Sequence, residues 1–468
     1  MPDFSTILQA PDIRALVQEN ILERAFHDAL FPRLLFRGDA SPQLWPANIG
    51  DTMVFTGVGL IKPKLKPLTP GADPLVSDYQ KEQWTAQLQQ YADSIDTHMP
   101  TSIVAIANLF LRNTHQMGMS AGQTLNRLVR NAMYKAALSG QTVADGAQGP
   151  TNTIRVARLN GFTRARRPDL ISGSAVKFDL VSANNPLPIV VNAPGATARN
   201  VVAFAADFPG DECGPGTITL DGAAISVVDR ALVKANDATV ITRVGGGTRI
   251  DDITAANTLQ LRDIRSAVSR MWQENVPEHS DARFHCHLDP TSQSEVFNDP
   301  EWQRLLTSLP DYFMYQQFAI GQMLGAAFFR NSECPLPETV SGAPTSYVAP
   351  SASFSENDPF CGELINPTGV VIHRALFSGQ GGILEYYQDL NQLVTEAGIV
   401  GKVGAASINN NGIEVFTDRI QLIIRAPLNR LQDSVATSWK FIGDWPLRTD
   451  AVSGDTARYK RFVAIEHG

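Results

Sequence analysis

At 468 residues the chain is longer than one compact core of ordinary size, and about two or three domains are expected. Its formal net charge of -8 and pI near 5.5 argue against a dedicated nucleic-acid binder. Hydrophobic residues make up 43% of it, yet no apolar run approaches the roughly 20 residues of a membrane span.

Charged residues make up only 18%. A large chain so sparing of charge has either much interior or much surface meant for neighbours, so a subunit of an assembly and a neutral β-rich monomer both fit. Cys213, Cys286, Cys334 and Cys361 have no paired spacing and read as free thiols, which suits a reducing compartment. The N-terminus has no basic region followed by an apolar core, so no signal peptide is expected.

In chain order, Asp12 can cap a helix running to about Leu30, ended by Pro32. "TMVFTGVGLI" and "KEQWTAQLQQY" read as two strands of a long hairpin from about Thr52 to Tyr91. Its tip is "IKPKLKPL", where Lys62, Lys64 and Lys66 alternate with Pro63, Leu65 and Pro67. Residues two apart on an extended backbone point the same way, so the three ammonium groups would share one side. The prolines forbid a helix and remove donors a central strand would need, which makes the stretch a projecting tip or edge.

From Thr101 to Ser139 the pattern is helical. Leu125, Leu128, Val129, Ala132, Met133, Ala136 and Ala137 recur at i, i+3, i+4, i+7, i+8, i+11 and i+12, and Gly140 sits where the helix should stop. Gly118 and Gly122 are candidate break points. Between Gln141 and Ile250, short β runs such as "TIRVARL", "PIVVNA" and "GTITL" alternate with Gly, Pro, Asn and Asp turns, as in a small sandwich or barrel inserted between helical stretches. A helix through Leu261, Ile264, Val268, Met271 and Trp272 follows. Next come "RFHCHLDP" as strand, "SEVFNDPEWQRLL" as helix and "MLGAAFFR" as strand. "GVVIHRALFSG", "GILEYYQDL", "RIQLIIRAPL" and "RYKRFVAIE" close the chain. The class is α+β, with β dominating.

Motifs with possible chemistry read more simply as structure. "GMSAG" (Gly118–Gly122) matches the nucleophile-elbow pattern with Ser120, but the preceding residues do not read as a buried strand; small residues that let helices approach fit better. "HCH" (His285–His287) would set two imidazoles on one strand face as metal ligands can be set, with only His279 nearby and no third ligand at a recognised spacing. Two half-exposed strand histidines are expected instead. "RARRP" (Arg164–Arg167 before Pro168), with Arg155 and Arg158, reads as a solvated loop or a salt-bridged subunit contact. Gly245–Gly247 lacks the Lys and Ser/Thr of a P-loop and reads as a hinge. No catalytic residue, metal ligand set or cofactor site is expected.

The order of these pieces resembles the major capsid proteins of tailed bacteriophages, the Hong Kong 97-type fold. Stretches similar to that family are "NIGDTMVF", "EQWTAQLQQYADSID", "NRLVRNAMYKAALSG", "NVPEHSDARFHCHLDPTSQSEVFNDPEWQRLL" and the closing "RIQLIIRAPL…RYKRFVAIEHG". The resemblance implies an N-terminal arm (1–50), an extended-loop hairpin (51–99), a spine helix of the peripheral domain (100–140) and an inserted β domain (141–250). A peripheral-domain helix (251–281), a mainly axial domain (282–418) and return strands to the peripheral domain (419–468) would complete the fold.

The resemblance also implies hexamers and pentamers in an icosahedral shell around double-stranded DNA. Scaffolding, portal and decoration proteins would be the partners, with assembly in the host bacterial cytoplasm, no membrane and no sequence-specific DNA contact. Lys62, Lys64, Lys66 and Trp84 on the hairpin would meet a neighbouring subunit. A β-rich serine hydrolase using Ser120 is the alternative, and an encapsulin-like shell a third.

Overall fold

The computed structural model describes residues 26, 28–30, 35–46, 50–58, 65, 67–71, 73–74, 81–98, 106–167, 175–192, 195–207, 212–308, 321–336, 339–340, 343–344, 364–388, 406–409, 412–417, 419–425, 434–449 and 457–468. The chain divides into two units, one of residues 1–53, 86–130 and 384–446, the other of 54–85, 131–383 and 447–468.

In chain order the elements begin with β1 (Ser41–Leu44), β2 (Thr52–Val58), β3 (Lys81–Gln87), β4 (Gln89–His98) and the helix α1 (Ile106–Ala137). Short strands follow: β5 (Gln141–Val143), β6 (Gln148–Thr151), β7 (Thr153–Val156), β8 (Arg164–Arg167), β9 (Ala175–Leu180) and β10 (Leu187–Asn192). Next are β11 (Ala196–Ala206), β12 (Gly216–Leu220), β13 (Ile225–Val227), β14 (Leu232–Ala235) and β15 (Ile241–Arg243). Then come α2 (Leu261–Gln273), β16 (Phe284–Leu288), α3 (Pro290–Asn298), α4 (Pro300–Ser308), β17 (Gln322–Met323) and β18 (Ala326–Arg330). The remainder is β19 (Thr339–Val340), β20 (Ala343–Pro344), β21 (His373–Ser378), β22 (Leu384–Tyr387), β23 (Ala406–Asn409), β24 (Gly412–Thr417), β25 (Ile420–Arg425), β26 (Ser434–Asp444) and β27 (Phe462–His467).

The first unit holds a seven-stranded sheet in the order β1-β22-β26-β25-β24-β23, with β4 also paired to β26. β4 and β26 run antiparallel in continuous register from Gln89 opposite Gly443 to His98 opposite Ser434. Helix α1 buries Met117, Ala121, Leu125 and Val129, one residue per turn on a single face. It passes through Gly118 and Gly122 unbroken. A Cβ on Gly118 would lie 2.6 Å from the Phe26 carbonyl oxygen and 3.0 Å from the Ala29 Cβ, so glycine permits close approach there. Of the helix expected over residues 12–30, Phe26 and Asp28–Leu30 are helical and the rest lies outside the described residues. Arg37, nearly fully buried, meets Glu385 with Nε–Oε2 at 3.0 Å and Nη2–Oε1 at 2.6 Å, and Arg419 adds a contact at 3.1 Å. One carboxylate so shared neutralises charges that would be costly to bury alone.

The second unit holds three larger sheets. The first joins β2-β3-β9-β8; the second runs β5-β14-β10-β11-β12-β7, with the pair β13-β6 beside it; the third runs β15-β27-β21-β16-β18-β17. Four features differ from those read in the sequence. The hairpin pairing ends at Gln87, because the next residues, Tyr91 included, form β4 and pair with β26. The β region of 141–250 does not close on itself: β8 and β9 join the hairpin sheet, and β15 pairs in parallel with β27. The expected boundary at 418/419 would cut the β24–β25 ladder, where Thr417 lies opposite Ile420. The last strand does not share a sheet with residues 420–444, since β27 lies between β15 and β21.

Three local differences have plain causes. "RARRP" is a strand because its arginines find partners in the chain: Arg164 Nη2 meets Glu212 Oε1 at 2.9 Å, and Arg166 lies over the Phe178 ring at 5.9 Å. "SEVFNDPEWQRLL" is two helices, since Pro300 lacks an N–H and Asp299 Oδ1 caps the second by accepting from Glu301 N. "MLGAAFFR" turns back on itself, β17 pairing antiparallel with β18.

Among the described residues two larger cores fill this unit, beside a small cluster of Ile250, Ile253 and Ile372. One packs Ile154, Val156, Phe162, Val191, Val201, Ile218 and Val233 inside the inserted β region. The other packs Leu261, Ile264, Val268 and Met271 of α2 against Phe284, Cys286, Phe377 and Ile465. Trp272, expected on the same stripe, is instead 51% exposed and donates its Nε1–H to Glu278.

Candidate assembly interface

The hairpin has a packed stem and a bare tip. In the stem, the Trp84 ring stacks on Phe55 at 6.3 Å with 20° between planes, and the Arg448 guanidinium lies 5.8 Å from it. A Cβ on Gly57 would come within 2.8 Å of the Trp84 ring, so a glycine on β2 makes room for the indole of β3. Trp84, expected at a subunit interface, is half-buried between these groups. Lys62, Lys64 and Lys66 lie outside the described residues. Between and beyond them, Leu65 is 90% exposed and Leu68 57%, and Pro67, Thr69, Pro70, Asp73 and Pro74 are exposed too. Leu65 and Leu68 have no packing role among the described residues.

Ser120 lies in the middle of α1, not on a strand-to-helix elbow. Its hydroxyl donates to Asp93 Oδ2 at 3.2 Å, and the depression around it is lined by Gln116, Met119, Gln123, Thr124 and Arg127. A carboxylate contacting the serine directly, with no imidazole between them, does not make the relay of a serine hydrolase. The residues of "GMSAG" serve packing, as the Gly118 contact shows.

The "HCH" histidines are unlike each other. His285 is half-buried, stacked on His279 with centroids 3.9 Å apart, and its Nε2 lies 3.4 Å from Asp281. His287 is fully buried and stacks on Phe329, which lies directly opposite it on β18. The expected pair of half-exposed histidines is therefore corrected at His287. Cys213, Cys286 and Cys334 are buried and are not in disulfides; Cys361 lies outside the described residues.

Two buried polar centres flank the last strand, and sequence reasoning missed both. On one face, Glu466 meets Arg243 at 2.9 Å and Arg374 at 3.1 Å. Burial alone would raise its carboxyl, but these guanidiniums and that of Arg158 hold it below the usual range. On the other face, Asp289, Ser292 and Glu295 of α3 meet His373 of β21 and His467 of β27. Asp289 before Pro290 reads as a helix cap and does cap α3, accepting from Thr291 N. Nothing in the sequence ties it to histidines 84 and 175 residues away from their α3 partners. Ser292, His467 and Glu295 form a serine–imidazole–carboxylate line, but Ser292 and His467 are fully buried, so no substrate carbonyl reaches the hydroxyl.

Among the described residues no helix is long and apolar enough to cross a membrane. No family model matches the chain, and no curated protein matches it. Solved structures do. The chain is similar to phage capsids. The capsid of cyanophage Pam1 aligns over 94% of this chain and 92% of that one, at 8% identity and a TM-score of 0.46. The capsid of cyanophage P-SCSP1u aligns over 93% and 88%, at 10% identity and 0.44. That of Ralstonia phage GP4 aligns over 91% and 86%, at 11% identity and 0.42.

Proposed function

We propose that the chain is the major capsid protein of a tailed double-stranded DNA bacteriophage, of the Hong Kong 97-type fold, and that it assembles into an icosahedral shell of hexamers and pentamers. The observation that carries this reading is the arm: a hairpin with a packed stem that presents Leu65 and Leu68 to solvent. Leu65 and Leu68, close together on one projecting element, suit a contact made with another copy. The element order supports the same reading: hairpin, sheet strand, long unbroken helix, β insertion, mixed α+β region and a returning C-terminal strand.

In this reading Lys62, Lys64, Lys66 and Trp84 belong to the contact with a neighbouring subunit, the three lysines directly and Trp84 by bracing the stem. The protein is structural, with no turnover of its own. A net charge of -8 suits a container that must release its genome, since many phosphate contacts would grip DNA tightly and in a salt-dependent way. The inserted β region of 141–250, with a core of its own although β8, β9 and β15 belong to sheets completed from outside it, would project from the shell. Scaffolding, portal and decoration proteins are the expected partners, and the host cytoplasm the place of assembly.

Electron microscopy of the protein expressed with its phage's scaffolding protein tests the reading. Shells, sheets or tubes are expected. A stable monomer under those conditions overturns it.

A further inference from the structure

Helix α2 buries one stripe and turns another to solvent. Leu261, Ile264, Val268 and Met271 face the core, so the positions between them face out. Arg262, Ser266, Ser269 and Gln273 recur at i, i+4, i+7 and i+11 and make one outward row; Arg265 and Trp272, seven apart, make the row beside it. All six are exposed except Ser269, which is half-buried. Carboxylates lie on the far flank. Asp263 caps the first turn by accepting from Gln260 N at 3.2 Å, and Glu274, just past the last turn, is held by Arg270 at 2.6 Å and Lys460 at 3.3 Å.

The fold leaves the two arginines of this face open. Arg265 makes no ion pair among the described residues. Arg262 is 62% exposed, and the carboxylate beside it, that of its chain neighbour Asp263, lies 3.8 Å away. Residues three apart on a helix have Cβ atoms about 5–6 Å apart, so both guanidiniums can reach one bound chain.

Trp272 is fixed and yet open. Its Nε1–H is given to Glu278 Oε1 at 2.9 Å, its ring leans on Phe284 with centroids 6.3 Å apart, and a Cβ on Gly325 would come within 2.8 Å of it. The residue is 51% exposed all the same. With its N–H committed, it offers a partner only apolar ring surface, and a ring already immobilised loses little freedom on docking.

Two guanidiniums among hydroxyl and amide donors, with no carboxylate in either row, complement oxygens that carry negative charge. Arginine suits phosphate in particular, because its planar fork gives two parallel hydrogen bonds to one phosphate group. We propose that the outward face of α2 contacts the phosphate backbone of double-stranded DNA. Arg262 and Arg265 each take a phosphate, Ser266, Ser269 and Gln273 bond neighbouring oxygens, and Trp272 packs on the sugars between. The choice of DNA rests on the capsid reading, in which a duplex is the polyanion that each copy meets. The contact reads no bases, and it is shallow: two arginines per copy, on a chain of net charge -8, touch DNA without gripping it.

Anisotropy of a labelled duplex of about 30 base pairs, titrated with the unassembled full-length chain, tests it. Binding should weaken about tenfold between about 50 and 200 mM salt, the fall that release of roughly two counterions gives. Arg262→Gln with Arg265→Gln should abolish that binding at an unchanged thermal midpoint. Lys234→Gln, which removes an exposed charge from β14, should leave it intact. Trp272→Ala should weaken binding several-fold at an unchanged salt slope. The contact is overturned by an absence of duplex binding at low salt, by binding that survives the double change, or by equally tight binding of poly-glutamate, which would make the partner an acidic protein. Assembly is scored separately: chains that form shells yet fail this titration refute the contact alone, and chains that pass it yet form no shells refute the capsid reading alone.

Discussion

The hairpin arm and the inserted β region are both β excursions of the same unit, and they differ in what they need. The insertion satisfies itself: Ile154, Val156, Phe162, Val191, Val201 and Ile218 are each 0% exposed inside one cluster. The arm packs only its stem, around Trp84, and leaves Leu65 at 90% and Leu68 at 57% exposure. An element that buries its own apolar residues needs no partner to cover them. One that displays them is incomplete until a partner covers it. The difference separates residues kept for folding from residues kept for contact.

The sharpest break of that comparison is in the insertion. Phe162→Ala should cost about 3–5 kcal/mol, because the ring is fully enclosed and its removal leaves a cavity. A lower urea midpoint, with hydrogen-exchange protection lost across residues 141–235, would be the readout; an unchanged midpoint would mean the core does not stabilise the region. Acid should act next, and on neither excursion. Asp289 is held near 2, so the stability it contributes is present above its ordinary pKa and is lost as pH falls from about 4 through 2. The loss should be about 2 kcal/mol and should be absent in Asp289→Asn, as thermal unfolding against pH would reveal.

Smaller effects are expected in the arm. Trp84→Ala should cost about 1–3 kcal/mol, less than for a fully enclosed tryptophan, since its ring is half-buried. Shell yield should drop further than stability does, because a loose stem no longer aims the tip. The double change Leu65→Ser with Leu68→Ser should leave unfolding within about 0.5 kcal/mol of the unaltered chain while particle yield falls. Normal yields from it would remove the tip from the interface. Reversing Lys62, Lys64 and Lys66 to glutamate should alter stability least, each exposed pair being worth roughly 0–1 kcal/mol. Particles should then fail to form or become more sensitive to salt; unaltered yields at low and high salt would make the lysines solubilising residues only.

The sequence by itself determined the local elements whose cause is local. The apolar spacing from Leu125 to Ala137 gave α1 its buried face, and the spacing from Leu261 to Met271 did so for α2. Alternation with Gly and Pro turns marked β10, β11 and β12, and the Lys–Pro run marked a tip that cannot be core. What it could not reach depends on partners far along the chain. "RARR" became a strand only because Glu212 and Phe178 stand beside it. Gly118 was a break or a packing site with equal logic until the Phe26 carbonyl lay against it. β15 and β27 pair across nearly half the sequence, in parallel, with no turn signal to announce them. His467 carries no motif; its contacts exist only where β21, β27 and α3 bring Ser292, Glu295 and His373 around it. Periodicity is written in neighbours along the chain, whereas charge pairing and ladder order are set by which distant surfaces can be buried together.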